Sequence, residues 1–312
     1  VNSEQIRQKA PTSVQSLLNT EIGIRLSNDM ALGETDFELM GMSGNNVKIL
    51  LDGIPLIDRG ATKQSLSQLD VNSIERVEIV EGPMSVVYGT DALAGVINII
   101  TKKGDGYSEE NTWRVGARVQ EESMGKEYDF FKDKGLHNES IDLGFNHKSG
   151  LFVNGGYTRN NHGGWQGDLT GREKRWHPKD QALMNGMFGF QNRNMNVWYR
   201  LDFLDEKIFG PNNGSELQPE KVSDKDFLTK RYTHQLQSDW KLDNRLDVHA
   251  ALSYQDYKRR TRTTESDLST GEKWLSSAEA SQDITQYKAW IARATVAWNI
   301  APEFSVQPGV EY

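Results

Sequence analysis

The chain has 312 residues, with 36 Lys and Arg against 44 Asp and Glu, a formal net charge of −8 and no Cys. This length is enough for two domains, and the acidic balance excludes a nucleic-acid partner, because phosphate binding needs a surplus of Lys and Arg. The lack of Cys excludes a disulfide framework, a thiolate nucleophile and a Cys-based zinc site.

The hydropathy pattern excludes a membrane-spanning helix, since no segment contains the roughly 18–20 consecutive apolar residues that one requires. Residues 1–10 lack the basic and apolar regions of a signal peptide, so we expect a mature or trimmed chain. The low mean hydropathy resembles that of a soluble protein. A transmembrane β-barrel has the same average, because apolar and polar residues alternate along its strands.

Residues 1–106 predict a small α+β domain with its own core. A helical stretch is predicted over Thr12–Leu18, and short apolar runs bounded by Gly and Asp follow it. The runs over Val47–Leu51, Val77–Val80 and Val96–Ile100 have the length and β-branched content of strands.

Residues 107–312 show a different pattern, an alternation of apolar and polar residues with a period of two. Nine segments have about the 9–11 residues that a tilted membrane strand needs. Their apolar positions begin at Trp113, Ile141, Leu151, Met184, Met195, Tyr232, Leu246, Trp290 and Phe304. Aromatic residues near the segment ends predict interfacial girdles, and these are Trp113, Tyr157, Trp240, Tyr254, Trp290 and Trp298.

The connections between these segments alternate between short and long. The short ones are 147–150, 191–194, 241–244 and 299–302, and the long ones are 121–139, 160–181, 206–229 and 259–283. Tight turns on one side and long polar loops on the other are typical of an outer-membrane barrel, with the loops outside the cell. A soluble β-sandwich is the alternative, but it does not account for long loops on one side only.

Nine strands cannot close a barrel by themselves, because bacterial single-chain barrels use even strand numbers. Backbone groups in hydrocarbon have no water to bond, so the strands must form a closed ring. We therefore expect this chain to be the N-terminal part of a larger protein, or a truncated form of one.

The first hundred residues contain four segments in a characteristic order and spacing, Val47–Pro55, Ile74–Pro83, Ser85–Gly89 and Ala92–Thr101. With these segments, the stretch from about Glu4 to Lys103 resembles the plug domain of TonB-dependent outer-membrane receptors. The cobalamin and siderophore branches are the most similar over Leu66–Thr101. The resemblance implies a plug inside a 22-stranded barrel, of which about nine strands are present in this chain.

Two departures from the family pattern concern contacts between plug and barrel. Glu81 stands where the family usually has Arg, and Leu39–Gly41 replaces an Ile-Arg-Gly motif. A carboxylate in a partly dry interface is costly unless it is paired. We therefore expect an inverted pairing, in which Glu78 or Glu81 meets a cation on the first barrel strand, either Arg114 or Arg118.

Other motifs carry weaker signals. Gly89–Gly95 lacks the Lys-Ser/Thr of a phosphate loop and is interpreted as a turn that allows close packing. No catalytic motif occurs, which predicts that the protein is not an enzyme.

His162 and His177 share a long loop with two Trp residues, where solvated histidines are favoured over a haem or metal-chelate contact. Acidic loop residues, Asp224, Asp226, Asp267 and Asp283, leave a calcium site open as an alternative to solvated acids.

The resemblance implies an energy-coupled importer of a scarce nutrient, with iron-siderophore, haem and cobalamin all open. Its implied partners are a TonB-type inner-membrane energy transducer, a small-molecule or metal-chelate ligand, and outer-membrane lipid. A surface lipoprotein is a further alternative, and the TonB box is expected before Val1. A passive channel or an adhesion barrel is the competing function.

Two sets of residues are the candidates for ligand contact. Position in the resemblance selects two plug loops, which contain Asn28, Asp29, Met30 and Gly33, and Asp58, Arg59, Gly60 and Lys63. Three aromatic residues on long polar loops are added, because exposed aromatic side chains without a function favour aggregation. They are Trp165, Trp176 and Trp274.

Overall fold

A computed structural model gives the fold and describes residues 1–21, 23–29, 34–43, 46–56, 66–83, 92–104, 110–301 and 304–311. The N-terminal domain begins with two short helices, α1 (Ser3–Lys9) and α2 (Val14–Leu18). Each begins with a capping box, in which the Asn2 or Ser13 side chain accepts a hydrogen bond from a backbone N–H of the first turn. The helix predicted over Thr12–Leu18 is confirmed as α2, whereas α1 adds to the prediction.

Two sheets complete the N-terminal domain. The first is antiparallel, and the second has the order β5-β4-β7-β6 with β4 and β7 parallel. All three predicted strand runs are confirmed within the second sheet. The strands are β1 (Ile24–Asp29), β2 (Glu34–Leu39), β3 (Met42–Ser43), β4 (Val47–Leu51), β5 (Ile54–Pro55), β6 (Ile74–Glu81) and β7 (Gly95–Thr101), with 3₁₀ turns at Leu66–Gln68 and Val71–Ser73.

Gly95 shows why the Gly-rich run ends as it does. A Cβ at this position would lie 2.2 Å from the carbonyl oxygen of Val80, and its φ is +149°. Only Gly fits such a close approach with this backbone conformation, so β7 begins packed directly against β6. The first residues of the run, 89–91, lie outside the described part of the chain.

The N-terminal domain has a hydrophobic core of its own. The cluster of buried residues extends from Ile6 to Ile99 and includes Leu17, Leu39 and Ile97, which are fully buried. Within the described residues, the second half of the chain contributes no member to this cluster. The domain is thus held together by its own apolar contacts.

The second half forms a long antiparallel sheet, named here the wall, with nine strands along its path. The predicted antiparallel strands after an α+β domain are confirmed. The strands are β8 (Thr112–Glu122), β9 (Leu136–Asn146), β10 (Leu151–His162), β11 (Lys179–Gln191), β12 (Met195–Gly210), β13 (Lys221–Lys241), β14 (Leu246–Asp267), β15 (Lys273–Leu275), β16 (Ile284–Ala301), β17 (Phe304–Val306) and β18 (Gly309–Glu311), of which β15 pairs with β14 and β18 with β16.

Three tight turns lie where the sequence predicts them, at 147–150, 192–194 and 242–245. For the fourth, predicted over 299–302, residue 302 lies outside the described part of the chain. The long connections are shorter than predicted, because β12, β13 and β14 continue well past the apolar segments. For example, β13 has 21 residues and β14 has 22, and only 211–220 separates β12 from β13.

The two faces of the wall have opposite chemistry. Apolar side chains point away from the N-terminal domain, as Val115, which is 71% exposed, and Trp113 and Val119 show on β8. Polar side chains on the other face are buried, among them Thr233, Gln235 and Gln255. This arrangement agrees with a lipid-facing outer surface and a polar lumen. No helix in the described part of the chain is long and apolar enough to cross a membrane.

Candidate functional site

The inner face of the wall holds the β4–β5 hairpin of the N-terminal domain by its backbone. The side-chain amide of Gln235 donates to the carbonyl oxygen of Leu51 at 3.3 Å. Those of Gln237 and Gln255 donate to the carbonyls of Asp52 and Pro55, each at 2.8 Å. Arg293 on β16 donates to the carbonyl of Gly53 at 3.0 Å. Three wall strands therefore supply hydrogen bonds to one hairpin.

A second contact centres on Glu206, a wall carboxylate that is only 1% exposed. It accepts hydrogen bonds from the Gln68 amide of the N-terminal domain and from the Gln181 amide of β11, both at 2.8 Å. Gln181 also donates to the carbonyl of Ser67 at 2.9 Å, and Arg231 donates to the carbonyl of Gln68 at 2.8 Å. Burying a carboxylate is favourable only with such partners.

Asp70 forms the third contact, at the start of the 3₁₀ turn Val71–Ser73. Its carboxylate accepts hydrogen bonds from the Asn72 backbone N–H and from the Thr158 hydroxyl, both at 3.0 Å, and from the Asn185 amide at 3.4 Å. Burial raises the pKa of Asp70, while the hydrogen bonds from Asn72 and Thr158 and the charge of Arg200 act against this rise. Two cavities of about 20 Å³ flank Asp70, each roomy enough for a single water molecule.

The C-terminal end of the N-terminal domain is tied to the wall by Lys103. Its ammonium group lies 3.3 Å from the buried carboxylate of Asp52 and 4.8 Å from the ring centre of Trp198 on β12. Thr101 donates to the same carboxylate through its hydroxyl at 2.7 Å. The cation–π contact thus links the domain to the wall through a charge and a ring.

The expected pairing of Glu78 or Glu81 with Arg114 or Arg118 differs from the contacts in the structure. Glu78 is paired with Arg76, at 2.9 Å, and Glu81 is exposed on the N-terminal domain. Arg114 lies 3.7 Å from Asp142 on the wall. Arg118 does reach the N-terminal domain, but its partners there are neutral oxygens rather than a carboxylate.

The two neutral partners of Arg118 are the side-chain oxygen of Asn72, at 3.1 Å, and the carbonyl oxygen of Ala10, at 2.8 Å. A backbone carbonyl and an amide oxygen carry enough partial charge to satisfy a guanidinium group that stays partly solvated. The first wall strand therefore contacts the N-terminal domain without needing an acidic side chain there.

The loop tryptophans occupy two different places. Trp165 and Trp176 lie on the connection between β10 and β11, where the backbone N–H of each donates to the carbonyl oxygen of the other. The Trp176 ring packs on His162 with ring centroids 4.1 Å apart. Trp274 lies on β15 and is about half exposed. The structure therefore groups the first two and separates the third.

An open cleft of about 660 Å³ lies beside Trp165, on the side of the long connections. Lys126 and Glu127 from the β8–β9 connection line one side, and Asp168 and Arg175, which form an ion pair, line the other. A cleft with an aromatic wall and charges of both signs suits a polar ligand of moderate size.

Three of the four acidic residues considered for calcium have other partners. Asp224 accepts two hydrogen bonds from Arg172, at 3.0 and 2.6 Å, and Asp226 lies 3.2 Å from Lys207. Asp267 accepts from the backbone N–H of Ser269 at 2.9 Å. Among the described residues, no three His, Asp or Glu side chains form a group that could hold a metal ion.

Most of the candidate plug-loop residues fall outside the described part of the chain. These are Met30, Gly33, Asp58, Arg59, Gly60 and Lys63. Asn28 and Asp29 lie on β1, but their side chains are not among those described. The expected domain boundary at residue 106 also lies in an undescribed stretch, between β7 and β8.

Sequence reasoning missed the residues that hold the N-terminal domain to the wall, namely Asp70, Glu206, Gln235, Gln237 and Gln255. The signal available for three of them is the spacing of Gln235, Gln237 and Gln255, which places amide side chains on the inner face of adjacent strands. Their partners are backbone carbonyls, and no residue type in the sequence marks a carbonyl that accepts such a bond.

Comparison with known proteins agrees with this architecture. Residues 1–96 match the TonB-dependent Receptor Plug Domain family. The Vitamin B12 transporter BtuB of Vibrio vulnificus (strain CMCP6) is 33% identical over 118 residues, which cover 38% of this chain and 19% of that protein. The Ferrienterobactin receptor of Escherichia coli (strain K12) is 31% identical over 121 residues, covering 34% of this chain and 16% of that one.

A comparison of folds covers the whole chain. The structure of the Copper transporter OprC aligns with a TM-score of 0.60 at 13% identity, over 100% of this chain and 54% of that one. This likeness concerns the fold, in which a plug lies against a wall of antiparallel strands. The chain spans about half the length of that structure, and the aligned parts are less than a fifth of the curated relatives.

The fold and the polar contacts between its two parts define a class, a plug domain seated on the inner face of a membrane wall. Residues 1–96 carry the plug-domain match, and the chain as a whole resembles the plug and adjoining strands of TonB-dependent receptors. Receptors of this class are proteins of the bacterial outer membrane, and they are transporters and receptors rather than enzymes.

Proposed function

We propose that the receptor containing this chain imports a scarce nutrient by energy-coupled rearrangement of the plug. The observation that carries this proposal is the nature of the interface between plug and wall. The apolar core of the plug, from Ile6 to Ile99, is complete without the wall. The described contacts that join the two parts are mostly polar, namely hydrogen bonds, a cation–π contact and an ion pair of Lys102 with Asp142 at 3.9 Å. Apolar side chains of both parts meet around one water-sized cavity.

An interface of this kind favours movement. Water can replace each hydrogen bond when the plug moves, so the net cost per bond is only about 0.5–1.5 kcal/mol. Separation of two apolar surfaces would cost far more, because it exposes hydrocarbon to water. A plug held by polar contacts can thus change its arrangement within the lumen while its own core stays folded.

The energy for this change is proposed to come from a TonB-type transducer in the inner membrane, which would pull a segment before Val1. Ligand binding must favour one plug arrangement over another, since a ligand with equal affinity for both changes nothing. The proposed ligand contacts are Trp165 and Trp176 of the wall and eight plug-loop candidates. These eight are Asn28, Asp29, Met30, Gly33, Asp58, Arg59, Gly60 and Lys63. Trp274 is retained as a more distant candidate on β15.

The proposed ligand is an iron-siderophore, haem or cobalamin. Two relatives point in this direction by name, a vitamin B12 transporter and a ferrienterobactin receptor. The cleft beside Trp165 adds an aromatic surface and both charge signs for a polar ligand. A surface lipoprotein remains a further candidate partner, and residues 1–106 and 107–312 remain the proposed domains.

Uptake by cells that express the whole receptor tests the proposal. A ferric siderophore, haem and cyanocobalamin are supplied separately, each as the sole source of iron or cobalamin. We expect one of them to support growth, and we expect a protonophore to stop its uptake. Uptake that continues after collapse of the proton-motive force would favour a passive channel, and growth on none of the three would overturn the ligand class.

A cross-link between plug and wall tests the rearrangement itself. The Asn72 amide lies 3.3 Å from the Thr158 hydroxyl, and the chain has no Cys of its own. In the variant with Asn72→Cys and Thr158→Cys, joined by oxidation or by a short thiol-reactive linker, we expect uptake to stop and reductant or linker cleavage to restore it. The two single variants are the controls, and unimpaired uptake by the joined protein would contradict a moving plug.

A further inference from the structure

The outward face of the wall carries a dense group of cations on β12, β13, β14 and β16. We define this basic patch as six cations and three carboxylates on four adjacent strands. The cations are Lys207, Lys230, Lys258, Arg260, Arg262 and Lys288, and the carboxylates are Asp205, Asp226 and Asp256. A net positive surface stands out in a chain whose formal net charge is −8.

Alternation along the strands shows that the patch faces away from the plug. Lys230 lies between Thr229 and Arg231, both buried on the inner face, and its side chain is 59% exposed. Lys258 likewise follows Tyr257, which is 1% exposed on the inner face. Successive side chains of a strand point to opposite faces, so these lysines point outward.

The register brings like charges together. Lys230 lies directly opposite Lys258 in the β13–β14 ladder, and Arg260 is two residues further along the same face. Side chains directly opposite in an antiparallel pair have Cβ atoms about 4.5–5.5 Å apart, and like charges there are destabilising. Lys258 and Arg260 form no ion pair within the described part of the chain, although Lys230 has Asp205 at 3.4 Å.

The remaining carboxylates of the patch are shared or already used. Asp226 serves two cations, with Lys207 at 3.2 Å and Arg262 at 2.5 Å, and Asp256 serves Lys288 at 3.7 Å. At the edge of the patch, Asp180 is paired with Arg159. Lys230, Lys258 and Arg260 are thus three neighbouring positive charges with one carboxylate partner in all, Asp205.

The position of the patch along the strands identifies the layer that it meets. Directly beside it on the outward face are two aromatic pairs in tilted contact, Phe203 with Tyr232 at 4.8 Å and Tyr254 with Trp290 at 4.7 Å between centroids. Outward aromatic pairs of this kind mark the boundary between hydrocarbon and headgroups. The patch begins on the far side of these pairs, toward the long connections, at the level of the headgroups.

We propose that the basic patch binds the phosphorylated headgroup of a glycolipid in the outer leaflet, with Lys230, Lys258 and Arg260 as its centre. A multiply charged phosphate headgroup compensates the repulsion between these cations, and Arg and Lys are both suited to phosphate oxygens. The aromatic pairs lie beside its acyl chains. This binding site depends on the outer-membrane location and not on the import function proposed above.

The test uses the whole receptor, purified from the outer membrane in mild detergent. The patch variant combines Lys230→Gln, Lys258→Gln and Arg260→Gln. The matched control, Lys148→Gln, Arg193→Gln and Lys241→Gln, removes the same charge from exposed cations at the tight-turn edge of the wall. Native mass spectrometry counts the bound bisphosphorylated glycolipid, and titration with purified glycolipid gives its affinity.

We expect the patch variant to bind the glycolipid about 100-fold more weakly, from about a fivefold contribution per basic residue, while the control binds as the unchanged receptor does. Equal binding by the patch variant and the control would overturn the proposal. A second measurement needs no variant. We expect the unchanged receptor to lose the glycolipid when both phosphates are removed, and to prefer it over phosphatidylglycerol. Retention of the dephosphorylated form, or equal binding of phosphatidylglycerol, would also overturn it.

Discussion

The carboxylate of Glu206 lies between plug and wall and accepts hydrogen bonds from Gln68 and Gln181, both at 2.8 Å. Glu206→Ala removes an acceptor from two buried amides, and each unsatisfied group costs about 1–3 kcal/mol. We expect hydrogen exchange in residues 66–69 to become roughly ten- to a hundredfold faster. The control is Glu216→Ala on an exposed connection, and unchanged protection of residues 66–69 would show that Glu206 does not hold the plug.

His162 gives a prediction about pH. Burial, together with the charge of Lys179, lowers its pKa from 6.5 to about 4, and the ring accepts a hydrogen bond from the Gly164 backbone N–H at 2.9 Å. Because the unfolded chain binds the proton more readily, this contribution of His162 to stability is complete above pH 6.5. It is lost as the pH falls toward 4, by up to about 3 kcal/mol.

The packing of Trp176 on His162 should therefore loosen between pH 6.5 and 4. An NMR titration of the His162 ring measures its pKa, and tryptophan fluorescence over the same range reports on the stacking. In the His162→Asn variant the side-chain oxygen can replace Nδ1 as acceptor without titrating, so we expect the fluorescence change to disappear. A His162 pKa near 6.5 would refute the buried packing.

Among the described elements of the plug, the β4–β5 hairpin accepts hydrogen bonds from three wall strands. Gln237 and Gln255 donate to its Asp52 and Pro55 carbonyls. With Gln237→Leu and Gln255→Leu, two hydrogen bonds are lost, and we expect faster hydrogen exchange over residues 47–56, by roughly tenfold or more. Gln166→Leu is the control, because Gln166 donates to a loop carbonyl, that of Gly171. Equal exchange in both variants would mean that other contacts hold the hairpin.

Elements also show how far the sequence predicts this fold. The alternation of β14 predicts its first part, from Leu246 to Tyr254, because the outward positions there are apolar. Beyond Asp256 the outward residues are Lys258 and Arg260, so the apolar signal ends although the hydrogen-bonded ladder continues to Asp267. The strand therefore extends past the lipid layer, and the predicted connection of 259–283 is too long.

The contacts between plug and wall could not be predicted from the sequence as the strands could. An inner-facing Gln such as Gln237 has the pattern of any lumen residue, and its acceptor is a backbone carbonyl of a distant segment. The prediction that Glu78 or Glu81 pairs with Arg114 or Arg118 was wrong for a related reason. The sequence indicates that Arg118 faces the lumen, but the structure satisfies it with the oxygens of Asn72 and Ala10, which carry no charge.

For the whole molecule, the two halves are stabilised in opposite ways. The plug buries apolar side chains inside itself, as a water-soluble domain does. The wall turns most of its exposed apolar side chains outward, and its inner face is largely polar with a few buried apolar residues such as Trp198 and Leu204, so its outer face is stable only against hydrocarbon. The polar layer between them lets one half move against the other while each keeps its own stabilising environment.

Two leucines test whether the outward face meets lipid. Leu252 lies on the outward face of β14 and is 42% exposed, and Leu275 lies on β15 near the long connections and is 56% exposed. A soluble sheet would tolerate Arg equally well at both. Within a bilayer, Leu252→Arg places a charge in hydrocarbon. We expect it to lower the free energy of unfolding by about 2–4 kcal/mol, depending on depth. Leu275→Arg should leave it nearly unchanged, because water solvates the guanidinium group. Urea titration of the whole receptor in lipid vesicles measures both, and equal stabilities would contradict a lipid-facing wall.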